Sequence, residues 1–446
     1  MNSSYSRGKL ECISVALFCF LGLFPQGIFG VEASPTQKIT FQEYYEAIER
    51  LSPDLAGQRQ NIIAAKGGIS VARIRPDPQF TGGIDSKELA SENKPNASLV
   101  TVCEVGVTIE TAGKRRKRIQ SARTGVKMAE GNVRLFLRQL KSESAAAFIE
   151  ACRLKEALKR KQSSFSVYEE LIHANEARFK AGDIGKLELR QSRVEANRFQ
   201  ADVEMAKAEA QVALVQLSGP LGKRFEEVFP QRDIDSQLPS LLLNLELDEL
   251  IQRSLDNDEE IRVTRISVDA ARNALELARA NRSVDPTFNI GLTNSPRVGE
   301  RFDLDGMVTN SPAARSLTLG LTVSVPIPLS NRERGALTQA ESALKQAELQ
   351  VSSTEAKVET EIRGAFTKYR ATIDNLQRYR EQILDEADQV LDAVRKSYRM
   401  GEASLLELLD AQRTADDVYL GYLQALADFT ESKVKLQVLA GIPIVL

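Results

Sequence analysis

Proline is absent from two long stretches of this chain. The sequence holds 15 prolines in 446 residues, yet none lies between Pro95 and Pro220 or between Pro328 and Pro443. Because proline in a helix interior costs about 3 kcal/mol, both stretches are free to form long helices. The 68 residues from Lys114 to Ala181 would extend about 100 Å as one helix. A helix of this length cannot be covered by a core of its own, so it must pack against neighbours as in a coiled coil.

Each long helix has a predicted return partner. The first returns over residues 186–217, and the second half repeats the arrangement over 334–400 and 405–439. The sequence therefore predicts two long helical hairpins in each chain, which is typical of a tube rather than a globule.

The composition supports long helices and argues against nucleic-acid binding. Lysine plus arginine number 59 against 61 aspartate plus glutamate, and there is no tryptophan and one histidine. A chain close to neutral offers no basic surface for nucleic acid. The abundance of Ala, Leu, Glu, Gln, Lys and Arg is typical of helical proteins.

The N-terminus has the order of a secretory signal peptide. Arg7 and Lys9 precede an apolar run over 13–24, and small residues follow up to Ala33. The run is too short to span a bilayer, so export with cleavage is favoured over the alternative of a single membrane anchor. We expect the signal peptide at 1–33, and the mature protein could then enter a membrane only as β-strands.

The two halves of the chain resemble each other. Residues 77–80 recur as 285–288 at an offset of 208, and 179–182 recur as 398–401 at an offset of 219. A drifting but ordered offset indicates an ancient duplication with small insertions.

Four segments follow from the duplication. They are the signal peptide at 1–33, a first repeat at 34–219, a connector at 220–247 and a second repeat at 248–446. Each repeat is predicted to run helix, strand, strand and long helical hairpin.

The predicted strands alternate apolar and polar residues. This alternation is clear over 103–110, 287–293 and 317–325. Such a strand is either half-buried in a soluble sheet or exposed to lipid on one face. About four strands per chain are too few for a closed barrel of ~8 or more. Either the sheet is soluble, or several chains close one barrel, and three chains would supply twelve strands.

The hairpin turns resemble those of the TolC-type outer-membrane efflux family. The residues that carry this resemblance are 178–182 with Leu187 and Glu188, and 397–401 with 405–412. The resemblance covers essentially the whole mature chain. It implies a homotrimer in which twelve helices form a periplasmic α-barrel and twelve strands form an outer-membrane β-barrel.

A narrower resemblance is to the outer-membrane components of cobalt–zinc–cadmium-type efflux pumps. It rests on Gly113-Lys114-Arg115 with Arg118, and on the segment 325–335, which contains Pro326 and Pro328. It implies a periplasmic adaptor and a proton-driven inner-membrane pump of the RND type as partners. The basic cluster from Lys114 to Arg118 would lie near lipid phosphates or form a solvated first helical turn, and the solvated turn is the favoured interpretation.

The same resemblance implies a gate. Glu407 and Asp410 match the residues that form acidic rings in the family, Glu188 is the equivalent of Glu407 in the first repeat, and Tyr398 matches a tyrosine that holds the closed tip. Such rings concentrate cations and repel anions. From the residues alone, ordinary solvated acids on a helix face are the simpler interpretation.

The turn glycines Gly182 and Gly401 are the docking sites for the adaptor that the resemblance implies. They are equally typical of glycines that end helices. The basic partner that the family places two residues after the second glycine is Ala403 in this chain, which weakens the predicted closed-state latch.

No enzyme motif accompanies these features. The sequence has no P-loop, no dinucleotide-binding glycine pattern and no His-Glu-x-x-His, and its lone histidine, His173, has no partner for a triad or a metal site. We therefore expect no catalysis, no cofactor and no tightly bound metal. Two alternatives stay open: the same duct serving drug export or type I protein secretion, and a periplasmic coiled-coil adaptor.

Overall fold

The structure is a computed structural model of the chain. It describes residues 38–86, 99–238, 242–243, 246–302, 305, 308–328 and 332–444. The expected signal peptide at 1–33 lies outside the described residues, as do Leu329 and Asn331 of the proline-containing segment.

Helices make up most of the described chain. The first half contains α1 (Phe41–Leu51), α2 (Pro53–Arg73), α3 (Lys114–Ala181), α4 (Lys186–Gln216), α5 (Ser218–Leu221) and α6 (Phe225–Val228). The second half contains α7 (Leu247–Asn257), α8 (Glu259–Asn281), α9 (Arg332–Arg378), α10 (Leu384–Met400) and α11 (Leu405–Leu439). The long helix predicted at 114–181 has those bounds. Within the residues that can be described, no helix combines the length and the apolar character needed to cross a membrane.

The duplication is visible in the helix boundaries. The α1–α2 pair recurs as α7–α8, and both helix starts are displaced by 206 residues. The break within each pair has the same cause: Ser52 caps α2 by accepting a hydrogen bond from the Leu55 N–H, and Asp258 caps α8 by accepting from the N–H of Glu260 and Ile261. An oxygen-bearing cap satisfies helix N–H groups that otherwise have no partner.

The strands form one antiparallel sheet in the order β1-β2-β3-β4. Their bounds are β1 (Gln79–Ser86), β2 (Leu99–Thr108), β3 (Thr287–Phe302) and β4 (Val308–Ser324). The central β2–β3 pairing joins the two repeats, with Val105 opposite Ile290.

Cross-strand register places the side chains in alternating rows. Phe80, Val105, Ile290 and Leu321 are successive partners across the four strands, and all four are exposed. The neighbouring row is Thr81, Glu104, Gly291 and Gly320, on the opposite face because side chains alternate along a strand.

Equivalent aromatic cores lie beside the middle of the long helical hairpins. In the first repeat the rings of Tyr44 and Phe148 are 5.7 Å apart, and the Tyr44 hydroxyl donates to the Leu217 carbonyl at 2.9 Å. In the second repeat Tyr369 and Phe429 stack at the same centroid distance of 5.7 Å. Each core fixes a long hairpin to the short helices of its own repeat.

The basic cluster at the start of α3 joins helices to strands. Lys114 is buried and donates to Asp285 Oδ2 at 2.7 Å and to the Ser283 carbonyl at 2.6 Å, while Arg118 pairs with Glu110. The interpretation of this cluster as a solvated helical turn is therefore wrong for Lys114. A buried charge needs an ionic or hydrogen-bonding partner, and here the partner comes from the other repeat.

One turn of π-helix, Tyr379–Ile383, separates α9 from α10, whereas α3 is continuous in the first repeat. Gly421 of α11 lies against this turn, and a Cβ at Gly421 would be 2.7 Å from the Tyr379 hydroxyl. The glycine therefore allows the π-turn and α11 to pack closely.

Candidate functional site

The candidate site comprises the two hairpin tips, which share one backbone design. We call the turn at 182–185 the first tip and the turn at 401–404 the second tip. Gly182 has a φ of +87° and Gly401 a φ of +80°, and neither would bring a Cβ within 4 Å of another group. Glycine is needed here for the left-handed backbone rather than for space.

The helix ends at both tips are closed by the same hydrogen bonds. The N–H of Asp183 donates to the Arg178 carbonyl at 2.9 Å, and the N–H of Glu402 donates to the Ser397 carbonyl at 2.9 Å. This is the Schellman arrangement, which satisfies carbonyls at a helix end.

Tyr398, three residues before Gly401 of the second tip, is buried against the first hairpin. Its hydroxyl lies 2.9 Å from Asn175 Oδ1 and 3.2 Å from Glu188 Oε1. Burial raises the pKa of Tyr398, and the Glu188 carboxylate raises it further, so the hydroxyl stays protonated and can donate. Two of the predicted gate residues, Glu188 and Tyr398, are therefore in direct contact.

An apolar cluster surrounds the Tyr398 ring. The Arg178 guanidinium lies over the ring at 5.2 Å, a cation–π distance. The buried members of the cluster join α3, α4, α10 and α11: Tyr168, Ala196, Tyr398, Leu405, Leu408 and Leu409.

Glu407 has a local role at the start of α11. Its Oε2 accepts from the Ser404 N–H at 2.7 Å, and Ser404 Oγ accepts in turn from the Glu407 N–H at 3.3 Å, which completes a capping box. The hydrogen bond from the Ser404 backbone lowers the pKa of Glu407 below its ordinary value.

Asp410 is exposed one turn after Glu407, and the i,i+3 spacing places both carboxylates on one side of α11. The other two predicted gate residues are Glu188 and Tyr398. They contact each other, and neither contact partner is Glu407 or Asp410. The acidic ring of Glu407 and Asp410 stays a prediction.

A buried polar network above the tips was missed by sequence reasoning. Asp416 of α11 accepts from Arg160 Nε at 2.9 Å and from Ser164 Oγ at 2.6 Å, both on α3. Gln412 extends the network, because it donates to Asp416 at 3.2 Å and accepts from Arg395 at 2.7 Å.

The signal for this network was present in the sequence. Gln412 and Asp416 continue the apolar stripe of Leu405 and Leu409 at helical spacing, so they are polar residues at positions where α11 faces its neighbours. Asn175 of α3, fully buried beside Tyr398, was missed in the same way.

The described residues include no group of three or more His, Cys, Asp or Glu that could hold a metal ion. What the tips offer instead is a set of contacts between two helical hairpins, two exposed carboxylates and two glycine turns.

A model of a protein family described as outer membrane efflux protein matches residues 44–223 and 250–442, well over half of the chain. The chain is 22% identical over 393 residues to the cobalt-zinc-cadmium resistance protein CzcC of Cupriavidus metallidurans, covering 87% of this chain and 86% of that protein.

Solved structures share the fold. The outer membrane protein VceC of Vibrio cholerae superposes with a TM-score of 0.69 at 18% identity, covering 91% of this chain and 97% of that chain. The open state of the MtrE outer membrane channel of Neisseria gonorrhoeae gives a TM-score of 0.67 at 17% identity, covering 90% of this chain and 89% of that chain.

Proposed function

Because this chain belongs to the outer membrane efflux protein family, we propose that it is the exit duct of a tripartite efflux system. Three copies would form one passive channel that begins in the periplasm and ends in the outer membrane. A periplasmic adaptor and an inner-membrane RND-type pump would deliver the cargo and supply the energy.

The apolar face of the sheet is the observation that carries this proposal. Phe80, Val105, Ile290 and Leu321 lie side by side across all four strands with between 39% and 74% of their surface exposed. Large exposed apolar patches mark surfaces that contact a membrane or a partner. The opposite face carries Thr81, Glu104 and two glycines, as expected of a surface that faces water.

Closure of this sheet requires other copies. Strands β1 and β4 are the edges of the four-stranded sheet, and an open edge in lipid would leave backbone groups without partners. Pairing of β4 with β1 of a neighbouring copy, repeated three times, would give twelve strands without an edge.

The surface of α4 gives a second reason for oligomerisation. Leu187, Val194, Met205 and Val212 are each at least 55% exposed. Their spacings of 7, 11 and 7 residues return to the same side of a helix within about 20°. An apolar stripe of this kind fits a helix of a neighbouring copy.

We assign the gate to the second tip and its contact with the first hairpin. In this proposal Glu407 and Asp410 line the narrowest part of the channel, and the Tyr398 contact with Glu188 holds the second hairpin in place. Opening would separate this contact when the adaptor docks at Gly182 and Gly401. An outward duct must release its cargo, so weak binding by isolated carboxylates suits the task.

Heavy-metal cations are the cargo that the similarity to a cobalt-zinc-cadmium resistance protein supports. Acidic side chains at the tip and Glu104 on the polar face of the sheet would favour cations over anions. Loss of the gene in the native host should increase sensitivity to cobalt, zinc or cadmium. Increased sensitivity to drugs alone would reassign the cargo.

Single-channel recording in planar bilayers tests the duct and the gate together. We expect the purified mature chain to be a trimer with small, cation-selective conductance that rises at least severalfold when Glu407 and Asp410 are both changed to Ala. The matched control is Glu386→Ala with Asp388→Ala, two exposed acids on α10 away from the tip.

The outcomes separate the two assignments. If the protein is a trimer and the tip variant and the control variant have the same conductance, the duct proposal stands and the acidic gate is contradicted. A monomer or dimer without conductance would reject the duct itself and favour a periplasmic adaptor.

A further inference from the structure

A cavity of about 350 Å³ lies between α3 of the first hairpin and α10 and α11 of the second. Its volume is at the lower end of the range for small-molecule pockets. The gate contacts described above do not involve a ligand in this cavity. Its polar lining includes Asn175, Arg178, Arg395 and Arg399, and its apolar lining includes Leu171 and Leu408.

Positive charge dominates the lining. Three guanidinium groups, those of Arg178, Arg395 and Arg399, face one carboxylate, that of Glu170. Arg395 is engaged with Gln412 at 2.7 Å and lies 3.8 Å from Asp392. No acid within the described ranges lies within 4 Å of the charged nitrogens of Arg178 or Arg399.

Helix dipoles reduce this positive charge without cancelling it. Arg178 and Arg399 lie in the last turns of α3 and α10, where each helix end carries roughly half a negative charge. Two helix ends and Glu170 together offset about two of the three positive charges, and Asp392 lies beside the third charge at Arg395. The guanidinium groups of Arg178 and Arg399 have no carboxylate partner within 4 Å among the described residues, so the space between them suits a small anion.

A buried amide points to the same ligand chemistry. Asn175 is 0% exposed and lines the cavity; its Oδ1 accepts from Tyr398, whereas its Nδ2 has no hydrogen-bond partner. A buried N–H without an acceptor is destabilising, and a ligand oxygen in the cavity would satisfy it.

The lining also has an apolar part. Tyr168 and Leu408 are buried, and Leu171 packs against the same cluster. Burial raises the pKa of Tyr168 to about 12, so its hydroxyl adds no negative charge at neutral pH.

We propose that this cavity binds an anionic amphiphile, a molecule with one carboxylate and a short apolar chain. The carboxylate would lie between Arg178, Arg399 and the Asn175 amide, and the chain would lie on Leu171 and Leu408. Because the lining comes from both hairpins, a bound ligand holds α3 and α10 together beside Tyr398.

A tryptophan reporter makes binding measurable, because the chain has no tryptophan of its own. Val167→Trp places one fluorophore in the cavity lining. The probe is octanoate, titrated into the full mature protein; octanol and octylammonium are the neutral and cationic comparisons. We expect a saturable emission change with octanoate at concentrations at least tenfold lower than with either comparison. An equal response to all three probes, or no saturable response to octanoate, overturns the proposal.

Charge variants test the assigned residues. In the reporter background, Arg178→Gln with Arg399→Gln should weaken octanoate binding at least tenfold. Lys180→Gln with Lys396→Gln removes two exposed cations from the same helices outside the cavity lining and should leave affinity unchanged. Equal affinities in the two double variants would overturn the assignment.

Two further measurements keep the test decisive if the double variant folds poorly. Arg399→Gln alone leaves the Arg178–Tyr398 contact in place, and we expect at least a threefold loss of octanoate affinity. Raising the salt concentration should weaken binding of octanoate but not of octanol, because only a charged ligand is screened. Unchanged octanoate affinity in either measurement contradicts the proposal. Binding is read without transport, so failure here leaves the proposed duct untouched.

Discussion

The first and second tips have the same backbone but different surroundings. Both turns use a glycine with φ near +80° to +87° and the same closing hydrogen bonds. The aromatic residue before the first glycine, Phe179, is 40% exposed, whereas its counterpart Tyr398 is 6% exposed and bonded to the other hairpin. The duplicated turn therefore fixes the chain reversal, and single side chains decide which tip holds the two hairpins together.

The largest difference should follow from removing the two aromatic rings. Tyr398→Ala should reduce the local opening free energy of the second tip by about 3 kcal/mol, because a buried aromatic side chain is lost. Phe179→Ala should cost about 1 kcal/mol at the first tip, since much of that ring is already in water. Amide hydrogen exchange of the two tips measures both values.

Tyr398→Phe is the control for this comparison. It keeps the ring and removes only the hydroxyl, so its cost should lie between those of the two alanine variants. Equal costs for Tyr398→Ala and Phe179→Ala would mean that the tips are equivalent and that the Tyr398 contact contributes little.

The two turn glycines should respond alike. Gly182→Ala and Gly401→Ala should each destabilise their own tip by about 1–2 kcal/mol, because an L-residue is strained in the left-handed region. Gly185→Ala is the matched control, since Gly185 has a φ of −79°. Exchange rates at each tip report the effect, and a large effect at one glycine only would contradict a shared backbone design.

The helix caps should give a smaller contrast. Ser404→Ala removes the side-chain cap of α11 and should cost about 1 kcal/mol at the second tip. Gly185→Ser offers α4 the cap that it lacks and should stabilise the first tip by a few tenths of a kcal/mol. Ser404→Thr keeps a capping oxygen and should be nearly neutral. An equal loss in Ser404→Thr and Ser404→Ala would exclude capping as the cause.

Acidification should weaken only the second cap. The pKa of Glu407 is lower in the folded chain than its ordinary value of 4.5, because the Ser404 N–H favours the charged carboxylate. The stabilisation is complete above that ordinary value and is lost as the pH falls through the folded pKa. Exchange protection at the start of α11, corrected for intrinsic rates, should therefore decline in acid relative to the start of α4. Glu407→Gln should abolish this difference, and a decline that persists in Glu407→Gln would point to another group.

Local sequence patterns were sufficient for most of the long helices and for parts of three strands. The bounds of α3 follow from Gly113, Gly182 and the lack of proline between them. Alternation predicted parts of β2, β3 and β4, but it did not predict β1 or the full lengths of β3 and β4. The π-turn at Tyr379–Ile383 could not be predicted, because it depends on the close approach of Gly421 from another helix. The burial of Lys114 was also missed, since its partner Asp285 lies 171 residues further along the chain.

The site was only partly predictable for the same reason. Glu188 and Tyr398 were singled out through resemblance, but their contact depends on how α3, α4 and α10 pack. Asn175 and Asp416 were missed because a polar residue on a helix looks solvated until its neighbours are known. Glu407, singled out as a gate residue, also forms a capping box with Ser404. A serine followed by a glutamate three residues later is the sequence pattern of such a box, so this contact could have been predicted.

The central pairing of the sheet has a consequence for how the chain is made. Thr108 of β2 and Thr287 of β3 are hydrogen-bonded through their hydroxyls at 3.0 Å, although 179 residues separate them. At ordinary rates of protein synthesis, about 10–35 s pass between the appearance of one strand and its partner. During that interval the β1–β2 pair has an open edge and an apolar face, which together favour aggregation. The helices of the first repeat can form as soon as they are synthesised, but the sheet cannot be completed until β4 has been made. Protection of the β1–β2 edge during that interval is therefore a requirement that the duplicated topology places on synthesis.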